Sequence, residues 1–83
     1  MPFFVYIIQS QLDDSLYIGQ TNDLEGRILR HNQGRSSYTK TKRPWVLLHH
    51  ECFECRSSAV KRESYLKGLH SRKAILNIIG SAG

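Results

Sequence analysis

Phe3-Phe4-Val5-Tyr6-Ile7-Ile8-Gln9 and, after a polar stretch, Leu16-Tyr17-Ile18-Gly19-Gln20 decide the fold of this chain. The first run is almost wholly β-branched or aromatic and the second repeats that character. Between them Gln11-Leu12-Asp13-Asp14-Ser15 suits a turn, so residues 3–9 and 16–20 are predicted to form a β-hairpin. Both faces of the first strand are apolar, which predicts that it is the central one.

Asn22 with Glu25 three residues on has the form of a capping box, and Leu24 and Ile28 recur at helical spacing until Gly34 supplies a stop. This predicts a helix over 23–32, although Gly26 within it costs about 1 kcal/mol relative to alanine. Residues 35–44 read as a basic loop carrying Arg35, Lys40, Lys42 and Arg43, with Tyr38 inside it and Trp45 just after. Val46-Leu47-Leu48-His49-His50-Glu51-Cys52-Phe53 fits a third strand. Ser57 or Ser58 is expected to cap a second helix ending near His70. Ser71 is expected to cap a last one, with Ala74, Ile75, Ile78 and Ile79 as its apolar face and Gly80 as its end. The order ββαβαα implies an α/β fold of the α+β type, a small three-stranded antiparallel sheet flanked by helices. No repeat, linker or low-complexity tract divides it, so residues 1–83 are read as a single domain.

Composition narrows the function classes. With 83 residues, 40% hydrophobic and 23% charged, the chain resembles neither a disordered nor a collagenous sequence. Its apolar opening lacks a basic n-region and a small-residue cleavage pattern, so it reads as a strand and not a signal. No stretch approaches the roughly 20 apolar residues needed to cross a bilayer. A cytoplasmic protein without membrane contact is expected, with Cys52 and Cys55 reduced. The net charge of +5 favours a nucleic-acid partner, the competing reading being a generic basic surface.

The chemistry-bearing residues are few. At 100° per residue Ala59, Glu63, Leu66 and His70 share one stripe of the second predicted helix, which puts Glu63 in the middle of a face that should pack on the sheet. A carboxylate there needs a cation, either a guanidinium or ammonium (Arg27 or Lys67) or a metal ion. Arg27 and His31 stand one helical turn apart beside Leu24 and Ile28, so both lean toward the core-facing side. Tyr6 and Tyr17 lie on the two hairpin strands, where tyrosines commonly fill a core edge and hydrogen-bond through the hydroxyl. Together the five supply what phosphodiester hydrolysis needs: a base for water, a ligand for a Lewis-acid metal, and positive charge for the transition state.

Val5-Tyr6-Ile7, then Tyr17-Ile18-Gly19 eleven residues after Tyr6, then Arg27, His31 and a helix-borne Glu63 resemble the GIY-YIG nuclease signature, in its order and close to its spacing. Any one piece is common; the ordered set carries the likeness, and it covers residues 3–73. Tyr38-Thr39-Lys40-Thr41-Lys42-Arg43-Pro44-Trp45 and Lys61-Arg62-Glu63 are also similar to small single-domain bacterial members. The family includes homing endonucleases, some restriction enzymes and the incision subunit of bacterial DNA excision repair.

The resemblance implies an endonuclease in which Tyr6 and Tyr17 are catalytic tyrosines, one activating water, Arg27 stabilises the phosphate and His31 assists as base or proton shuttle. Glu63 would be the single protein ligand of Mg2+ or Mn2+, an ion that keeps several waters when held by one carboxylate. Gly19 would allow a backbone turn or close approach of a phosphate. Arg35, Tyr38, Lys40, Lys42, Arg43 and Lys67 are the expected nucleic-acid contacts, with DNA favoured over RNA and Trp45 a further stacking candidate that competes with a core role. Larger members carry targeting domains; here a targeting partner protein would take that part. Three positions depart from the pattern: Phe4 replaces the first glycine, Gln20 stands where many repair-type members have lysine, and Asn77 is the candidate for the asparagine that often completes the site. The alternatives are a non-catalytic nucleic-acid-binding module on the same scaffold and a zinc or redox site at Cys52-Phe53-Glu54-Cys55 with His49 and His50.

Overall fold

In the computed structural model, which describes residues 2–82 and side chains through residue 80, β1 (Phe3–Ser10) lies between β2 (Leu16–Thr21) and β3 (Trp45–Phe53) and is antiparallel to both. The three helices are α1 (Leu24–Asn32), α2 (Arg56–Gly68) and α3 (Arg72–Ala82), so the order is ββαβαα and the fold is of the α+β type, as the sequence predicts. No described helix is long and apolar enough to cross a membrane.

Central position explains the composition of β1. Val5 and Ile7 face α2 and α3 and join Ile18, Ala59, Leu66 and Ile75 in one core cluster. Tyr6 and Ile8 face the other way and pack with Trp45, Tyr17, Leu24, Ile28 and Leu47 beneath α1. The pairing runs Tyr6 opposite Gly19 and Ile8 opposite Tyr17 on one side. On the other, Ile8 meets Leu47 while Ile7 meets His49, a β-bulge that leaves Leu48 without a partner in the ladder.

Several helix ends differ from expectation. The N-cap of α1 is Asp23 and not Asn22: its carboxylate accepts from the Gly26 amide at 3.1 Å, while Thr21 Oγ1 accepts from the Asp23 amide at 3.0 Å. Gly26 makes room for this cap, since a Cβ there would fall 2.2 Å from the Asp23 carboxylate. Gly34, with φ of 78°, turns the chain away after α1. Helix α2 begins after Cys55, because the Ser57 and Ser58 hydroxyls are engaged with Cys55 Sγ at 3.4 and 3.2 Å instead of capping the backbone. It ends at Gly68, so His70 lies in the following turn with φ of 48° and not on the helical stripe. Ser71 caps α3 as expected, its hydroxyl accepting from the Ala74 amide at 3.2 Å, but α3 runs past Gly80.

The basic loop is fastened at both ends. Asn32 imitates a strand neighbour, accepting from the Trp45 amide at 2.6 Å and donating to the Trp45 carbonyl at 3.1 Å, which ties the end of α1 to the start of β3. Ser10 Oγ donates to the Lys42 carbonyl at 2.6 Å, and Lys42 Nζ reaches Asp13 at 3.3 Å and Ser15 at 3.1 Å, so the loop also rests on the hairpin turn. Across the molecule Arg72 donates to the Asp14 carbonyl, fixing α3 to that same turn.

Candidate active site

The α1 face of the sheet brings the two hairpin tyrosines and the helix histidine together. Tyr17 lies with its ring centroid 5.0 Å from His31, 6.4 Å from Tyr6 and 5.7 Å from Tyr38. Tyr6 and His31 are each 1% exposed, and their Oη and Nε2 are 2.9 Å apart. Register explains the neighbourhood: Tyr6 and Tyr17 point to the same side of adjacent strands, and His31, in the last turn of α1, comes down onto them beside the Asn32 tether.

Gly19 has a packing role that the sequence did not announce. It lies within β2 opposite Tyr6 and does not turn the chain; a Cβ there would sit 2.5 Å from Tyr6 Oη. Absence of a side chain lets the Tyr6 ring lie across β2 and reach His31.

Charges converge on this group. The Tyr6 hydroxyl is pushed well above the usual tyrosine range, first by burial, then by Tyr17; Arg27 acts against the shift and Glu63 with it. His31 is held below the usual histidine range by burial and then by Arg27, which keeps the ring neutral at pH 7. Arg27 stands on α1 and Glu63 on α2, helices on opposite faces of the sheet. Glu63 is only partly covered, its side chain 18% exposed, and it forms an ion pair with Lys67 at 2.8 Å. Of the two cation types weighed for Glu63, an ammonium one turn along the same helix is the partner present.

Two concavities flank Tyr17 and His31. A polar one of about 410 Å³ is lined by Arg27, Arg30, His31, Arg35 and Ser36. The other, about 520 Å³, is lined by Tyr17, Tyr38, Lys67, His70, Arg72 and Ile75 among others. Arg35 and Tyr38 thus border the site from the loop and Lys67 from α2. Lys40 is exposed, but Lys42 is bound to the hairpin turn and Arg43 Nε donates to the Lys40 carbonyl at 2.9 Å, so both have structural duties. Trp45 is 4% exposed and its Nε1 donates to the Thr39 carbonyl at 2.9 Å, which makes it a core anchor and removes it from the stacking candidates. Asn77 is exposed on α3.

Sequence reasoning missed Thr39. Its side chain is fully buried and its Oγ1 lies 2.7 Å from His31 Nδ1, completing a buried row Tyr6, His31, Thr39. A threonine amid loop lysines carries no signal of burial; the following tryptophan, which closes over it, is the only hint. The Cys and His residues of β3 are not gathered: His49 turns to Glu51 at 2.9 Å on the α2 face, where Arg62 also binds Glu51, while His50 packs edge-on against Phe4 on the opposite face. Among the described residues no three His, Cys, Asp or Glu side chains come together as a metal cluster.

A three-stranded antiparallel sheet carrying two tyrosines packed against a histidine of α1 defines a class, and residues 2–76 match the model of the GIY-YIG catalytic domain. The chain belongs to the GIY-YIG family, whose domain is a nuclease fold. Within it, the chain is similar to UPF0213 proteins: 44% identical over 77 residues to one from Staphylococcus haemolyticus, covering 92% of each chain. One from Haloquadratum walsbyi is 42% identical over 71 residues, 84% of this chain and 79% of that one. The solution structure of a UPF0213 protein from Bacillus halodurans matches with a TM-score of 0.65 at 30% identity, over 100% of this chain and 87% of the other.

Proposed function

We propose that this protein is a metal-dependent endonuclease that hydrolyses phosphodiester bonds, with DNA favoured over RNA as substrate. The observation that carries this reading is the cluster of Tyr6, Tyr17 and His31 beside a concavity lined by Arg27, in a chain whose residues 2–76 match the GIY-YIG catalytic domain. Together they offer hydroxyl, imidazole and guanidinium groups of the kind that hydrolysis at phosphorus uses.

The roles divide by exposure. Tyr6, buried and held neutral, is a poor base and serves as a hydrogen-bonding group; Tyr17, half-buried and bordering the larger concavity, is the tyrosine placed to touch water or substrate. Arg27, whose guanidinium borders the polar concavity, receives the scissile phosphate and stabilises the charge that develops on it. Arg35, Tyr38, Lys40 and Lys67 extend the contact along the strand, and Lys42 and Arg43 contribute positive potential from their anchored positions. The donor set fits a hard cation held by one carboxylate: Glu63 is partly exposed and its ion-pair partner among the described residues is an ammonium that can swing away. Mg2+ or Mn2+ bound there would supply Lewis-acid stabilisation of the phosphate.

The Glu63 to Lys67 pair also supports a second reading, a nucleic-acid-binding module in which that pair is permanently closed. Incubating the protein with labelled DNA and RNA of single-stranded, duplex and branched form, with Mg2+ or Mn2+, separates the two. Cleavage that vanishes in Glu63→Ala supports the nuclease; tight binding with no cleavage of any substrate leaves the binding module.

A further inference from the structure

Tyr6 Oη, His31 and Thr39 Oγ1 form a row with more protons than acceptors. A neutral imidazole has one acceptor nitrogen and one N–H, yet a hydroxyl stands at each end of it, 2.9 Å from Nε2 and 2.7 Å from Nδ1. Among the described residues neither hydroxyl has another hydrogen-bond partner. One of the two hydroxyl protons is therefore left without an acceptor in the protein.

The surroundings of each decide which. Thr39 is 0% exposed, and its carbonyl accepts from the buried Trp45 Nε1. A hydroxyl proton in that place has His31 Nδ1 as its one acceptor, and leaving it unmet costs about 1–3 kcal/mol. Tyr6 is also deeply placed, but its hydroxyl lies over the bare backbone of Gly19, beside Tyr17 and under the influence of Arg27 and Glu63, where substrate oxygens would gather.

We infer that Thr39 is a positioning residue: it donates to His31 Nδ1, holds the ring with its proton on Nε2, and makes Tyr6 the acceptor of that proton. The proton of Tyr6 itself is then turned to the cleft as a donor for water or a phosphate oxygen. This rests on the nuclease reading for its consequence in catalysis, but not for its statement about the ring. It also gives the basic loop a second task, since the loop that borders the substrate carries the residue that sets the orientation of the buried pair.

The test is 15N NMR of the histidine ring nitrogens, together with kcat and KM on any substrate the protein cleaves, for the wild type, Thr39→Ser and Thr39→Val. Serine keeps the hydroxyl and drops the methyl, so it separates the hydrogen bond from packing. The expected result is Nδ1 unprotonated and Nε2 protonated in the wild type and in Thr39→Ser. In Thr39→Val, Tyr6 alone remains and is satisfied by either tautomer, so the ring should show a mixture. There kcat should fall by about 10- to 100-fold, as when the outer partner of a functional histidine is removed, with KM little changed. A wild-type ring protonated at Nδ1, or a Thr39→Val protein with either wild-type ring shifts or wild-type kcat, overturns the inference. If no substrate is cleaved, the nuclease reading fails while the ring shifts still decide the tautomer.

Discussion

The two faces of the sheet are built from alternate residues of the same strands and yet follow different rules. Under α2 and α3 the side chains of Val5, Ile7, Ile18, Ala59, Leu66 and Ile75 form one apolar cluster, and the polar contacts of that face join His49, Glu51 and Arg62, all partly exposed. Under α1 the equally buried Tyr6, His31 and Thr39 are joined by hydrogen bonds, and the apolar members, Ile8 and Trp45, surround them. The first face is stable by area removed from water and tolerates substitutions that preserve volume. The second depends on each hydroxyl and ring nitrogen having its partner, so it fixes geometry in addition to excluding water.

Truncations on each side should break this comparison most sharply. Leu66→Ala should cost about 2–5 kcal/mol of stability by leaving a cavity, seen in urea denaturation, while the folded protein keeps its turnover. Arg27→Ala should do the reverse: kcat falls by roughly 10²- to 10³-fold with little change in denaturation midpoint. If Arg27→Ala proves as destabilising as Leu66→Ala, the division of labour is wrong.

Gly19→Ala tests the boundary between packing and chemistry. The added methyl must displace the Tyr6 hydroxyl, so stability should fall by about 1–3 kcal/mol and cleavage should fall with it. An alanine variant with normal cleavage would show that the lie of the Tyr6 ring does not matter.

Acidification should loosen the faces in succession. His31 takes up a proton in the unfolded chain near its ordinary value of 6.5 but resists it when folded, so the unfolded state binds more protons and stability declines as pH falls through about 6.5. Glu51 lies on the other face, held below the ordinary carboxylate value of 4.5 chiefly by its hydrogen bond from Arg62 and also by His49. Its contribution is present above about 4.5 and is lost as pH falls through the folded value; Asp13, lowered by hydrogen bonds from Ser15, titrates in the same direction. Urea midpoints measured against pH should show both declines, with the upper one absent in His31→Gln and the lower one reduced in Glu51→Gln.

The smallest effect concerns Cys55, whose thiol is brought down from 9.0 to about 7 by hydrogen bonds from Ser57 and then Ser58 at the start of α2. It should react with iodoacetamide faster than Cys52 at pH 7, and Ser57→Ala should slow it. Alkylation there should leave cleavage unchanged, because Cys55 is exposed at the start of α2, the helix on the other face of the sheet from Tyr6.

The strands and helices were legible because their residues declare a period: the β-branched run of β1, Leu24 and Ile28 in α1, the isoleucines of α3. The ends were less so. Asn22, Ser57 and Ser58 are all competent caps, and the choice of Asp23 and Cys55 depends on Gly26 leaving room for a carboxylate and on sulfur occupying the serines. Glu63 was recognisable as an ion in need of a partner, but that Lys67 holds it depends on rotamers the sequence does not state. Lys42 and Arg43 read as free cations although they anchor the loop, because their partners Asp13 and Lys40 are brought near only by the folded chain. Thr39 was invisible for the same reason: its burial is a property of Trp45 closing over the loop, not of threonine.

The bulge at Leu48 acts as a parity switch for β3. Leu47 and His49 are two residues apart and in a regular strand would point the same way; the additional residue sends Leu47 toward the tyrosines and His49, with Glu51, toward α2. Were Leu48 drawn into the ladder as an ordinary strand residue, the phase of everything after it would invert, and the Glu51 carboxylate would turn from Arg62 to the face of Tyr6. A single unpaired leucine thus keeps an acidic group off the tyrosine face, and a deletion at Leu48 would leave Leu47 and His49 on the faces they now occupy.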